Sequence, residues 1–175
     1  MMYLQSTSLN LRAPELADLD YLFHVENDTR QWQVSACKVP YSRFQLQQYV
    51  ETNAHDIYVD RQLRLMIERK EDNRLVGIID LFDFSPADHR AEVGIVIDCD
   101  FRGGGYGREA LLLLCDYAEH VLSLHQLYAF IFEDNTSACQ LFSSCGFKRV
   151  ALLSDWVLSN KKYRDVCLYQ CLFEK

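Results

Sequence analysis

The stretch Phe101-Arg102-Gly103-Gly104-Gly105-Tyr106-Gly107-Arg108 holds four of the seven glycines in the chain. It lies between a predicted strand, residues 91–97, and a predicted helix, residues 107–122, in which apolar side chains recur every three or four residues. Glycines leave backbone N–H groups unobstructed, and the N-terminus of a helix carries positive potential. The stretch therefore predicts an anion site, of which phosphate is the most natural occupant.

Two common phosphate-binding motifs fit this stretch less well. A P-loop requires G-x-x-x-x-G-K-[ST], and the chain contains no Gly-Lys-Ser or Gly-Lys-Thr. Residues 105–110 satisfy the dinucleotide pattern G-x-G-x-x-A, with Glu133 downstream. However, the predicted strand ends near Ile97, well before Gly105, and too little chain follows for a doubly wound sheet. A nucleotide-binding module is therefore the weaker alternative.

Outside the glycine stretch, the chain alternates between helical and strand patterns and contains no linker or repeat. Further helices are predicted at residues 16–23, 43–55 and 138–144. The turn signal Asp72-Asn73 makes a hairpin of the two strands that flank it. We predict one mixed α/β domain over residues 1–175. The predicted strands are residues 62–68, 75–84, 91–97, 126–132, 147–158 and 164–173.

Composition excludes several classes of function. The 18 basic and 25 acidic residues give a net charge of −7, which argues against nucleic-acid binding because that needs a basic surface. Seven cysteines and five histidines form no zinc-binding spacing, so no metal site is expected. The sequence shows neither a signal peptide nor a membrane-spanning stretch. We expect a cytoplasmic protein with free thiols and no membrane partner.

Three motifs resemble one enzyme family. Residues 102–107 are similar to the R/Q-x-x-G-x-G/A signature of the GCN5-related N-acetyltransferase (GNAT) family, in which this loop binds the pyrophosphate of acetyl-CoA. Asn135-Thr136-Ser137-Ala138 followed by Cys145-Gly146-Phe147 resembles the family's downstream N-x-x-A…GF signature. Arg90-Ala91-Glu92-Val93-Gly94 and Tyr163-Arg164-Asp165 resemble the subgroup of spermidine and ribosomal-protein N-acetyltransferases.

The resemblance covers nearly the whole chain and implies the acyl-CoA N-acyltransferase fold. This fold is a mixed, mostly antiparallel sheet with a splayed parallel strand pair, flanked by helices. Pantetheine inserts between the splayed strands, and an amine attacks the thioester of acetyl-CoA directly. The acetyl-CoA-binding residues that the resemblance implies are Ile95, Val96, Ile97, Arg102, Gly103, Gly104, Gly105, Tyr106, Gly107, Arg108 and Asn135. The residues alone leave plain alternatives open: residues 95–97 also suit a core strand, and Asn135 also suits a helix cap.

Glu92 is the candidate catalytic residue. An alkyl amine with a pKa near ~10 is mostly protonated at neutral pH, so a base must remove a proton before attack. Glu92 precedes the implied cofactor strand, and the related subgroup has Glu at this position. A glutamate that faces solvent or forms an ion pair is the competing interpretation. A backbone N–H near Ile97 is expected to stabilise the oxyanion.

Phe142 departs from the family pattern. Many members carry a Tyr there that protonates the departing thiolate, and phenylalanine has no proton to donate. Ser143, Ser144 and Cys145 lie nearby in sequence, and a thiolate is a fair leaving group without acid catalysis. The departure motivates one alternative within the fold, a non-catalytic acyl-CoA-binding or sensor protein.

The acceptor is expected to be a small-molecule or peptide amine held by the two N-terminal helices and their connection, residues 27–41. That segment contains Lys38 and few acids, so its composition does not support a polyamine site. Trp32 and Tyr41 suit either an aromatic wall or the core, and Glu26 and Asp28 are candidate amine anchors. Related proteins are often oligomers, so we also expect a homo-oligomer.

Overall fold

The computed structural model describes residues 3–30, 39–52, 56–159 and 161–173. Within these ranges seven strands form one sheet, and α-helices pack on both of its faces. Short 3-10 turns at Leu16–Asp18 and Cys99–Phe101 precede two of the helices. In chain order the elements are β1 (Leu9–Arg12), α1 (Leu19–Glu26), α2 (Arg43–Thr52), α3 (Ile57–Asp60), β2 (Leu63–Arg69), β3 (Arg74–Ser85), β4 (Arg90–Ile97), α4 (Tyr106–His120), β5 (Gln126–Phe132), α5 (Thr136–Ser144), β6 (Lys148–Ser159) and β7 (Lys162–Leu172).

The strand order is β1-β2-β3-β4-β5-β7-β6, and every neighbouring pair is antiparallel except β4 and β5. This confirms the predicted mixed, mostly antiparallel sheet and the β2–β3 hairpin. The short elements β1 and α3 were not predicted, because four residues are too few to show a hydrophobic period. Helix α4 begins one residue earlier than predicted and ends before the predicted end at residue 122.

Two hydrophobic layers cover the sheet. On one face α4 buries a stripe of apolar side chains, including Leu111 and Leu114, against β3, β4 and β5. On the other face Leu22 of α1 and Leu46 of α2 pack against Met66 and other apolar side chains of the sheet. Alternate residues of each strand therefore serve different layers. The face under α1 and α2 also carries the polar groups described next.

An ionic triad on that face ties α1 to the sheet. Arg64 of β2 donates two hydrogen bonds to Asp80 of β3, at 2.9 and 3.0 Å, and a third to Glu26 at the end of α1. The three side chains keep only 23%, 20% and 18% of their surface exposed, respectively. The Arg64 guanidinium also lies over the Tyr49 ring of α2 at 5.8 Å. One cation therefore connects two strands and two helices.

Replacing Arg64 is expected to destabilise the fold. Arg64→Leu leaves two mostly buried carboxylates without their shared cation, which we expect to cost about 2–3 kcal/mol of unfolding free energy. Arg30→Leu is the control, because Arg30 pairs with Asp28 while 73% of its own side chain is exposed, and it should cost less than about 1 kcal/mol. Urea unfolding at neutral pH measures both. Equal losses in the two variants would contradict this role of the triad.

Candidate active site

The parallel strands β4 and β5 separate part-way along their length. They pair only at Arg90↔Gln126, Ala91↔Leu127 and Glu92↔Tyr128. Beyond Glu92, β4 stays paired with β3 as far as Ile97, and β5 stays paired with β7 as far as Phe132. The facing edges of the two strands therefore form a cleft that opens away from the Glu92–Tyr128 pair, which we call the vertex.

Ile95, Val96 and Ile97 line the β4 side of this cleft. All three are half-buried, and Ile95 and Ile97 also pack against the main core. Gly107, in the first turn of α4, closes the wide end. A Cβ built on Gly107 would lie 3.3 Å from a side-chain carbon of Ile97 and 3.4 Å from one of Leu141, so a larger residue would require the Ile97 side chain to shift by a few tenths of an ångström.

The glycine stretch joins the open end of β4 to α4. Gly103 and Gly105 have φ angles of 80° and 84°, a left-handed conformation that glycine adopts without strain. Gly105 is the N-cap residue of α4, and both glycines have no atom within 4 Å of where a Cβ would be. The loop therefore presents exposed backbone beside the positive end of a 15-residue helix.

Arg102 and Arg108 flank the loop and are exposed. Arg102 donates from Nε to the carbonyl oxygen of Ile97 at 3.0 Å, which ties the loop to the end of β4. In the part of the chain that the structure describes, neither arginine forms an ion pair. Both guanidinium groups therefore retain donors and positive charge for an anionic ligand.

Glu92 lies at the vertex, on the face of the sheet opposite α4. Its strand neighbours Ala91 and Val93 are buried in the core, so alternation along β4 directs Glu92 to the other face. Glu92 is half-buried, and this burial, with a smaller contribution from the charge of Asp83, raises its pKa to about 7. A carboxylate with this pKa suits proton transfer at neutral pH.

Comparison with known proteins assigns the family. The model of the GNAT acetyltransferase domain matches residues 8–148. The chain belongs to the GNAT family. A spermidine N(1)-acetyltransferase of Vibrio cholerae is 28% identical to it over 162 residues, which cover 92% of this chain and 91% of that protein.

Solved structures agree with this assignment. Spermidine N-acetyltransferase from Vibrio cholerae in complex with CoA and spermine superposes with a TM-score of 0.83 and 27% identity, covering 95% of this chain and 96% of that one. A dodecameric structure of the Vibrio cholerae protein gives a TM-score of 0.79 and 26% identity, covering 95% of both chains.

As a GNAT protein, the chain is an acetyl-CoA-dependent N-acetyltransferase that transfers an acetyl group to an amine. The family, the fold class, the reaction and the acetyl-CoA co-substrate predicted from the sequence are confirmed. The sensor and nucleotide-binding alternatives are not favoured. Among the described residues, no helix is both long and apolar enough to cross a membrane.

Asn135, in the second GNAT motif, and Phe142, between the two halves of that motif, both have structural roles. Asn135 is the N-cap of α5, and its side-chain oxygen accepts from the backbone N–H of Ala138 at 3.2 Å. Phe142 is 3% exposed and packs edge-on against Phe147, so this position is part of the core and carries no proton donor. Nearby, Ser144 already donates to the carbonyl oxygen of Leu141, and burial raises the pKa of Cys145.

The predicted amine anchors at the end of α1 and just beyond it are already paired. Glu26 belongs to the Arg64 triad, and Asp28 forms an ion pair with Arg30 at 2.8 Å. Asn27 hydrogen-bonds the backbone of Tyr41 in both directions, so it holds the two ends of the intervening segment together. Trp32 and Lys38 lie outside the described residues. The prediction that Glu26 and Asp28 anchor an amine is therefore not supported.

Sequence reasoning missed two residues at the vertex, Asp83 and Tyr128. The Tyr128 hydroxyl donates a hydrogen bond to the Asp83 carboxylate, and Asp83 is the charged group that acts on Glu92. No periodic signal identifies them, because Tyr128 looks like an ordinary strand residue and Asp83 occupies an irregularity in β3. Only the strand register brings them to Glu92.

The raised pKa of Glu92 predicts a pH-dependent cost in stability. The folded protein holds the Glu92 proton more tightly than the unfolded chain, whose glutamate has the ordinary pKa of 4.5, so stability falls as the pH rises from about 4.5 through 7. Glu92→Gln removes this cost. After allowance for solvent screening we expect a gain of about 1 kcal/mol, or about 3 °C in Tm, at pH 8 and no gain at pH 4. Thermal unfolding at both pH values measures it, and a gain that does not depend on pH would contradict the assignment.

Proposed function

We propose that the protein acetylates a primary aliphatic amine and that Glu92 accepts the proton of that amine. The observation that carries this proposal is a half-buried carboxylate with a pKa of about 7 at the closed end of the β4–β5 cleft. Ordinary exposed glutamates are weaker bases at neutral pH, because their pKa lies near 4. The same cleft holds apolar side chains and open backbone edges for the acetyl donor.

The residues around the cleft fit acetyl-CoA. We infer that the glycine loop, Tyr106, Arg102 and Arg108 hold the pyrophosphate, because this segment combines exposed backbone, a helix N-terminus and two arginines without ion pairs. Ile95, Val96 and Ile97 offer an apolar strand edge to which pantetheine can add as an extra strand. Asn135 uses its oxygen for the α5 cap, so its amide N–H₂ is the group that we assign to the CoA arm.

Acetyl-CoA supplies an activated thioester, and the chain supplies position and proton transfer. The ammonium group of the acceptor gives a proton to Glu92, and the free amine then attacks the thioester carbonyl carbon. The structure puts Ile97 at the open end of the cleft, so we propose as oxyanion donors the unpaired backbone N–H groups of β4 that lie nearer to Glu92. The new C–N bond replaces the C–S bond, so the products are the acetylated amine and CoA.

We infer that the CoA thiolate leaves without help from a protein acid. Phe142 occupies the core and contributes no donor. Ser143 hydrogen-bonds Tyr169, Ser144 donates to the carbonyl oxygen of Leu141, and Cys145 is buried. A thiol with a pKa near ~8.5 is a fair leaving group in water, so solvent can protonate it. The apolar Phe142 is therefore compatible with catalysis.

The charges at the vertex favour a cationic acceptor. Asp83 is close enough to Glu92 for its charge to raise the pKa of Glu92, and neither residue forms an ion pair with a described residue. Spermidine and spermine are the first acceptors to test, because similar proteins are named for the former and bind the latter in a solved structure. Smaller diamines and peptide N-termini are the other candidates. We further propose a single domain over residues 1–175, which forms a homo-oligomer as the Vibrio cholerae relative does.

Turnover with a panel of amines tests the acceptor class. Release of free CoA thiol is followed with putrescine, spermidine, spermine and a peptide with a free N-terminus, with acetyl-CoA binding measured in parallel by calorimetry. We expect turnover with at least one aliphatic amine at neutral pH. Firm acetyl-CoA binding with no turnover on any amine would contradict the enzymatic proposal and favour a sensor.

The pH dependence of Glu92→Gln tests the base. In the wild type, kcat/KM should rise with pH and level off near pH 7, where Glu92 becomes ionised. We call this levelling-off near pH 7 the break in the pH profile. In the variant the break should disappear, and kcat/KM should keep rising as the pH approaches the pKa of the amine, near ~10. The loss should be largest at and below neutral pH, on the order of a hundredfold.

Glu133→Gln is the matched control for this substitution, because Glu133 pairs with Arg149 on the surface, away from the vertex. It should keep the wild-type profile. A break near pH 7 that survives in Glu92→Gln would remove Glu92 from the mechanism, whatever the change in overall rate.

A further inference from the structure

Asp83 occupies a one-residue bulge in β3 directly opposite the vertex. Phe82 pairs with Glu92 and Ser85 pairs with Arg90, so two residues of β3 face a single residue of β4 between these pairs. Asp83 has a φ angle of 48°, a left-handed conformation that is uncommon for any residue but glycine. Leu81 and Phe84 both face the core although they are three residues apart, so the extra residue shifts the hydrophobic alternation of β3 by one position. The bulge thus gives Asp83 a place on the Glu92 side of the sheet.

The carboxylate of Asp83 reaches across β4 to β5. It accepts a hydrogen bond from the hydroxyl of Tyr128, and Tyr128 forms the last parallel pair with Glu92. Burial and this hydrogen bond raise the pKa of Tyr128 well above its usual range, so its hydroxyl stays protonated and remains a donor. The Tyr128 ring is held edge-on by Phe130 at 5.8 Å. Asp83 and Tyr128 therefore join β3 to β5 where the cleft begins.

Three charged or titratable groups surround Glu92 on this face. Asp83 approaches from β3 and Tyr128 from β5, while Arg90 lies two residues earlier on β4 itself. Arg90 is directed to other partners: its guanidinium lies 6.0 Å from the Tyr128 ring and 3.4 Å from Asp88. The negative charge of Asp83 is consequently the one that acts on Glu92, and it favours the protonated form.

We propose that Asp83 is a positioning residue for acetyl transfer, which holds Tyr128 to fix the vertex of the cleft and places a second negative charge beside Glu92. The charge acts through Glu92, because it makes Glu92 a stronger base for the proton of the incoming ammonium. The hydrogen bond sets the point at which β4 and β5 part and thus the depth to which the thioester can enter. This inference rests on the proposed role of Glu92 as the base.

Two substitutions separate the charge from the hydrogen bond. Asp83→Asn removes the charge and keeps an oxygen that can accept from the Tyr128 hydroxyl. Tyr128→Phe removes the hydrogen bond and keeps the charge. We expect Asp83→Asn to move the break in the kcat/KM profile to lower pH by about half to one unit. Tyr128→Phe should leave the break at or above its wild-type position and raise the KM for acetyl-CoA on the order of tenfold.

A direct titration supports the kinetics without turnover. The carboxyl carbon of Glu92, observed by ¹³C NMR in the free protein, should titrate at a lower pH in Asp83→Asn than in the wild type. Asp116→Asn is the charge-matched control, because Asp116 lies on the surface of α4 beside His120, and it should leave the titration unchanged. Thermal unfolding of every variant confirms that the fold is retained.

The outcomes distinguish this inference from the function on which it rests. If Glu92→Gln abolishes the break while Asp83→Asn leaves both the break and the NMR titration in place, Glu92 is the base and the role of Asp83 is overturned. If the break survives in Glu92→Gln, the base assignment fails, and the inference about Asp83 fails with it. A lowered break in Asp83→Asn, together with loss of the break in Glu92→Gln, supports both.

Discussion

The parallel pairing of β4 and β5 stops after Glu92 and Tyr128, and the site depends on that stop. Beyond this point the backbone N–H and C=O groups on the facing edges of β4 and β5 do not pair with each other. The outer edges stay paired, β4 with β3 and β5 with β7. A buried sheet seldom leaves such groups without partners, because an unpaired buried amide is costly. An extended ligand that pairs with these strand edges would complete the sheet, and we propose the pantetheine arm of acetyl-CoA as that ligand.

Much of this architecture can be read from the sequence. The glycine stretch predicts an anion site because Gly103 and Gly105 need left-handed backbone and α4 follows at once. The hairpin of β2 and β3 and the buried strand β5 follow from apolar periodicity and one turn signal. These features are local, since each depends on residues that are close along the chain.

The rest depends on contacts that no local pattern contains. The bulge at Asp83 changes the register of β3 by one residue, and a register becomes visible only when two strands are paired. Glu26 and Asp28 look like candidate anchors in sequence, yet Arg64 of β2 and Arg30 in the turn after α1 already neutralise their charge. Phe142 illustrates the opposite case, because an aromatic side chain without a polar group favours burial by itself, and Phe142 is buried in the core.

Within the net charge of −7, charged residues of opposite sign lie at opposite ends of the β4–β5 cleft. Arg102 and Arg108 stand at the open end of the cleft, and Glu92 and Asp83 stand at the vertex. Five residues of extended strand, about 16 Å, separate Glu92 from Ile97, where Arg102 is attached.

Acetyl-CoA carries its negative charge at the diphosphate and its reactive carbon at the far end of an extended arm, so the two ends of the cleft match the two ends of this co-substrate. In the proposed mechanism, the acidic vertex attracts a cationic acceptor to the end of the cleft that the thioester reaches. Burial and the charge of Asp83 raise the pKa of Glu92, and the two arginines lie too far along the cleft to offset this effect.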